Sequence, residues 1–164
     1  MDQLAGLFEE MKFGNVSTFI ASGNVIFESK AKDEGKLAVS IENHLKQSLG
    51  YEVDTFVRTR AEMVAAAGFM AFSQADMAAE EHTVNVSFLK QPLSPEQTKG
   101  LIACKTEVDE FRVNGREFYW LCRIRSSDSK VWTTPQMRAL KLPTTTTMRN
   151  ITTVRKIAAL YPVP

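Results

Sequence analysis

Arg149, Asn150, Thr153 and Lys156 stand near the C-terminus in the stretch TTTTMRNITTVRKIAAL, residues 144–160. On a helix, Arg149, Thr153 and Lys156 share one face, while Ile151, Val154, Ile157, Ala158 and Tyr161 follow the helical repeat on another. The stretch therefore predicts a helix with one face to pack and a basic face to present. Four threonines after Pro143 suit the approach to a helix, because a threonine hydroxyl accepts from the free N–H groups of the first turn. The expected start is close to Met148. An arginine there would meet the positive end of the helix macrodipole, a penalty on the order of 0.5 kcal/mol that a nearby anion would remove. Anion binding is thus the chemistry these residue types support, since helix N–H donors and a planar guanidinium fork suit phosphate or carboxylate. Lys130, in the same basic segment, joins the candidate set. The competing role is structural: Arg149 bonds carbonyls or an acid of its own chain, and Asn150 pins a turn.

Charge is divided along the chain. Residues 1–122 hold 12 Lys+Arg and 18 Asp+Glu, a balance of −6, whereas residues 123–164 hold 8 Lys+Arg and Asp128 alone as acid, a balance of +7. Such asymmetry points to an anionic partner, or to a basic tail that docks on the acidic body of its own chain or of a second subunit.

Other reactive residue types form no complete constellation. A nucleophile needs a base within hydrogen-bond reach, and Ser22 has no evident histidine partner. Cys104 and Cys122 are separated by 17 residues, outside any zinc or C-x-x-C spacing, and read as reduced, buried thiols, with a disulfide or a nucleophile as alternatives. His44 falls within a helical pattern and His82 follows two glutamates, so neither gathers the ligands a metal requires. No cofactor or metal is expected. No apolar run reaches the ~20 residues that span a bilayer, and the amphipathic start lacks a signal-peptide pattern, which gives a cytoplasmic protein with no membrane partner.

The elements that must position these residues follow from pattern. Leu4, Leu7, Phe8 and Met11 predict a helix, residues 16–20 and 25–27 a hairpin or bulged strand around Ser22-Gly23-Asn24, and Leu37, Ile41, Leu45 and Leu49 a second helix closed by Gly50. Ser22, Gly23 and Asn24 suit that turn for backbone reasons. Residues 53–57 predict a strand, Thr59 to Glu62 a capping box opening a short helix, and residues 68–81 a connection. Val84, Val86 and Phe88 alternate as a strand through residue 89, and Ser94-Pro95-Glu96-Gln97 starts a helix. Asn114-Gly115, between β-rich flanks, predicts a hairpin over residues 111–121 with a type I′ turn. Alternation puts Phe118 and Trp120 on one face and Tyr119 on the other, either as core or as a platform on which bases stack. Thr134-Pro135 opens a last short helix ahead of the threonine run.

The two halves repeat. The second reads strand, helix, hairpin, helix, and the first reads helix, hairpin, helix, strand, lacking only an opening strand. The expectation is α+β, two tandem ferredoxin-like (β-α-β-β-α type) halves, residues 1–75 and 76–164, forming one compact unit. A central strand missing from the first half would leave an edge open to pairing, through a late-assigned start or a gap filled by a partner chain.

The segment Ser22-Gly23-Asn24-Val25-Ile26-Phe27, the Gly115-Arg116-Glu117-Phe118-Tyr119 hairpin, and Arg149-Asn150 followed by Thr153-Val154 and Lys156-Ile157 together resemble the bacterial domain-of-unknown-function family 1697. The resemblance covers essentially the whole chain. It implies two ferredoxin-like halves and an opening strand with a Gly-containing loop ahead of a methionine aligned with Met1. Departures are Ile151 in place of a common tryptophan, Thr152 in place of asparagine, and residues 126–130 in place of a glycine-bearing loop, with Ser129-Lys130 retained. No activity is implied. The combined expectation is a non-catalytic module for an anionic ligand, either nucleic acid or a phosphorylated small molecule. The alternatives are an enzyme whose active-site loop lies in the absent N-terminal segment, and an interaction domain that self-associates through its unpaired edge.

Overall fold

The computed structural model describes residues 2–20 and 23–164, so Ser22 lies outside the described residues. It is a mixed α+β fold with two small sheets and several helices, divided into compact units of residues 1–58 and 59–164.

Unit 1 contains α1 (Asp2–Glu10), β1 (Gly14–Phe19), β2 (Asn24–Glu28) and α2 (Glu34–Leu49). The strands pair antiparallel, Thr18 opposite Val25, with a register shift between Gly14 and Ser17 where Asn15 takes a positive φ of 46°. The turn uses the expected residues: Gly23 adopts φ +76°, and the Asn24 side chain donates to the Phe19 carbonyl at 2.9 Å. Asp33 caps α2 by accepting from Lys36 N, and Gly50, left-handed at φ 82°, closes it. Leu7, Phe8, Ile41 and Leu45 are buried, and the rings of Phe8, Phe13 and Phe27 meet at 4.6–6.0 Å.

The expected strand at residues 53–57 is not formed. Val53 and Val57 pack partly buried on the unit 1 core, as alternation required. Their backbone, however, has no ladder partner among the described residues; Thr55 N donates instead to Glu42 Oε1 at 2.8 Å. Alternation reports burial, whereas a strand also needs a neighbour.

Unit 2 contains α3 (Arg60–Gly68), α4 (Gln74–Ala78), β3 (Thr83–Phe88), α5 (Pro95–Ala103), β4 (Asp109–Asn114), β5 (Glu117–Cys122), α6 (Pro135–Ala139), β6 (Thr147–Asn150) and α7 (Ile151–Leu160). Short 3-10 turns at Ser126–Asp128 and Val131–Thr133 lead into α6. The boundary expected near residue 75 divides the repeat; the compact units divide at 58/59, with α3 packed on α7. The sheet order is β4-β5-β3-β6, every pair antiparallel.

Two capping boxes start α3 and α5. Thr59 Oγ1 accepts from Glu62 N while Glu62 Oε2 accepts from Thr59 N, and Ser94 and Gln97 do the same. The hairpin forms with Gly115-Arg116 as its two-residue loop, Asn114 pairing with Glu117. Gly115 alone of the two has positive φ, 60°, so the turn is of the II′ rather than the I′ kind, and glycine is required at its first central position.

Register divides the side chains of the unit 2 sheet into two faces. Ser87, Phe118, Trp120, Phe111 and Met148 share one, and Val86, Tyr119, Arg112 and Arg149 share the other. On the first, Phe111, Phe118 and Trp120 pack with Leu101 of α5, Val131 of the second 3-10 turn and Met137 of α6. On the second, buried Tyr119 donates to the Ala66 carbonyl of α3 at 2.9 Å, and α7 packs on β3. Phe118, Tyr119 and Trp120 are all core, leaving no exposed strand platform for stacking bases.

The helix expected from Met148 begins instead at Ile151, and residues 147–150 are the edge strand β6, Arg149 facing Val86 across the pair. Thr147 favours extended backbone, and β3 offers residues 147–150 a partner, so pairing prevails over capping there. Asn150 is the N-cap, its Oδ1 accepting from Thr152 N at 2.8 Å.

Candidate functional site

This shift separates the sequence-predicted residues. Arg149 is half-buried on β6, and its Nη1 donates to Thr147 Oγ1 at 2.6 Å and to the Met148 carbonyl at 2.9 Å. Burial holds its guanidinium below the ordinary value. Asn150 is committed to its cap. Thr153 is half-buried in the first turn of α7, and Lys156 is exposed one turn on. Lys130 lies on the other side of the sheet: it precedes Val131, which packs with Phe118 and Trp120, and its carbonyl accepts from Thr133 Oγ1 at 2.9 Å. Arg149 and Asn150 therefore lie on β6, Thr153 and Lys156 on α7, and Lys130 is with neither pair. Gly23, Asn24, Asn114 and Gly115 all lie at turns or strand ends.

Four acids of unit 2 are closely engaged. Arg123 donates Nε and Nη2 to the two oxygens of Asp76, each at 3.1 Å, and Nη2 also reaches Glu110 Oε2 at 2.9 Å. Arg112 holds Glu110 Oε1 at 2.6 Å, and Arg116 holds Glu62 Oε1 at 2.6 Å. The Arg123 and Ser73 hydrogen bonds keep Asp76 below the usual carboxylate range. At Glu110 burial pushes upward, but Arg123, Arg112 and Lys105 outweigh it and the net shift is downward. Asp109, 1% exposed, accepts from Trp120 Nε1, Ser129 Oγ and Thr106 Oγ1, each at 2.8 Å. Every partner of this carboxylate is structural, and the retained Ser129 serves it.

Burial also raises the Cys104 and Cys122 thiols, which disfavours the thiolate a nucleophile needs. Among the described residues, no group of three or more His, Cys, Asp or Glu is placed to hold a metal, and no helix is long and apolar enough to cross a membrane.

The basic segment instead lines a groove that sequence reasoning missed. About 530 Å³ lies between the Phe118–Trp120 face, α6 and the loop to β6, with Trp132, Met137 and Met148 completing its apolar lining and Arg138 and Lys141 its cationic one. No acid lines it. Neither Arg138 nor Lys141 has a carboxylate partner among the described residues. Lys141 is held in the left-handed region at φ 49°, where a side chain costs roughly 1–2 kcal/mol. Its carbonyl accepts from Gln97 Nε2 at 3.0 Å, and Gly100 of α5 leaves room for Leu140, whose Cδ2 would collide with a Cβ there. The charge asymmetry signalled these cations; their convergence on aromatic residues from β5 was invisible because it is tertiary. A second depression, of about 580 Å³, runs along the outer face of α2 in unit 1, past Lys36, Val39 and Asn43, and lies open to solvent.

The sequence matches a family described as "Protein of unknown function (DUF1697)" over residues 1–119. No curated protein matches it. A solved structure of a conserved bacterial protein from Streptococcus pneumoniae superposes with a TM-score of 0.73 at 17% identity, covering 98% of this chain and 88% of that one. At that identity the likeness establishes the fold alone.

Proposed function

The chain belongs to the DUF1697 family of proteins of unknown function, and we propose that its unit 2 is a non-catalytic module binding an anionic ligand in the groove beside α6. The observation that carries this reading is the pairing pattern of the charges. Asp76, Glu110 and Glu62 are taken by Arg123, Arg112 and Arg116, while Arg138 and Lys141 face an acid-free aromatic groove without a carboxylate. Cations beside apolar walls leave a ligand's anionic group less screened than bulk water would. The strand-helix-hairpin order of unit 2, with β3 central and β6 at its side, supports reading it as a ferredoxin-like half. The α1-β1-β2-α2 order of unit 1 supports a second such half.

Titration calorimetry against nucleotides, phosphorylated sugars and short oligonucleotides at two salt concentrations tests the reading. Salt-sensitive binding that disappears in Arg138→Ala/Lys141→Ala and persists in Arg149→Ala/Lys156→Ala is expected. Binding lost in the second pair alone would move the site to β6–α7, and no binding across the set would reject an anion module.

A further inference from the structure

We infer that the groove takes a planar aromatic ring carrying one phosphate, a nucleoside monophosphate by class, and not a polynucleotide. This rests on the anion-binding reading above and adds the size and shape of the ligand. A volume of about 530 Å³ falls within the ~300–1,000 Å³ of pockets that enclose small molecules. Trp132 is half-buried and packs on buried Phe118 and Trp120, ring centroids 6.1 and 5.2 Å apart, so part of its own aromatic surface stays wettable. Arg138 and Lys141, three residues apart in sequence, both line the groove, and two cations so near one another in the chain match a single terminal anion. A polynucleotide would need cations tracking along the surface. Lys156, without a carboxylate partner among the described residues, belongs to α7, which covers the opposite side of the sheet.

A polar feature also belongs to this face. Ser87 is fully buried in β3, and its hydroxyl has no hydrogen-bond partner among the described residues. Its two same-face cross-strand neighbours, Phe118 and Met148, both line the groove. Ser87 does not itself line the groove, and a ligand reaches its hydroxyl only where the Met148 side chain, 36% exposed on a four-residue edge strand, moves aside. A ring with polar edges seated there supplies the hydrogen bond that Ser87 lacks.

The experiment titrates the full chain with uridine and adenosine monophosphates, the matching neutral nucleosides, inorganic phosphate and a ten-nucleotide DNA strand. A monophosphate is expected to bind at least tenfold more tightly than either its nucleoside or phosphate. Lys141→Ala is expected to weaken it about tenfold. Ser87→Ala is expected to weaken it several-fold while leaving the melting temperature equal or higher, since a buried unpaired hydroxyl is removed. If phosphate binds as well as the monophosphates, or Ser87→Ala leaves their affinity unchanged, the inference is overturned. If the oligonucleotide binds and the monophosphates do not, the inference fails while the anion module stands. Silence from every probe removes both.

Discussion

Unit 1 surrounds two strands with helices and fills its interior with Leu7, Phe8, Ile41 and Leu45. Unit 2 covers both faces of four strands and buries Ser87, Asp109 and Glu110 among its apolar side chains. The difference follows from size. A two-stranded ribbon is marginal by itself and depends on the apolar surfaces of its helices. A four-stranded sheet sandwiched by helices excludes water well enough that a polar group inside it must be satisfied or be left at a cost. Asp109 and Glu110 are satisfied, and Ser87 is not. Specific recognition therefore has more material in unit 2.

The largest test of this contrast is amide hydrogen exchange. Amides in β3 and β5 are expected to exchange orders of magnitude more slowly than those in β1 and β2, because the first pair is central and the second is a ribbon. Equal protection would break the comparison. Next, Trp120→Ala should cost about 3–5 kcal/mol in urea denaturation, since it opens a cavity and removes a donor from Asp109. Phe27→Ala, at a half-buried site of unit 1, should cost less than half as much; parity would show that the two cores are equally tight.

Acid sensitivity is the third test. Asp76 and Glu110 have folded-state values below their unfolded ones, so their stabilisation is complete above the ordinary carboxylate range, near pH ~4, and is lost as pH falls through the depressed values. Arg123→Met should lower the melting temperature at neutral pH, and its deficit against wild type should shrink steadily below about pH 4. A constant deficit would dissociate Arg123 from this linkage. The smallest effect is expected for Tyr119→Phe, which gives up the hydrogen bond to the Ala66 carbonyl at about 0.5–1.5 kcal/mol by thermal denaturation.

Local chemistry was legible wherever neighbours in sequence decide the structure. Thr59, Ser94 and Thr134 cap where expected, Gly50 closes α2, and Asn114-Gly115 marks the hairpin. Legibility fails where a distant strand decides. Residues 53–57 alternate but find no ladder, and residues 147–150 lie among helix-start signals but find one in β3. α4 lies in the stretch whose pattern predicts only a connection, because its five residues are too few to show periodicity, although Ser73 caps it. The groove was illegible for the same reason at a larger scale: Phe118 and Lys141 meet only once β5, α5 and α6 are packed. The Arg149 arrangement was half legible, since the competing expectation, that it bonds carbonyls, matches its contact with the Met148 carbonyl.

The two capping boxes show how an ambiguous signal acquires a single meaning. Glutamate and glutamine are synonyms at the third position of this motif, because either offers an oxygen to the cap N–H. Here they are not interchangeable. The second oxygen of Glu62 meets the Arg116 guanidinium, so its charge is used; the amide of Gln97 donates to the Lys141 carbonyl, so its proton is used. Exchanging them would leave both helix starts intact while setting a carboxylate against a carbonyl oxygen in one place and neutralising an ion pair in the other. A helix predictor would score the swapped chain as unchanged, and the loop that carries Lys141 would have lost its tether.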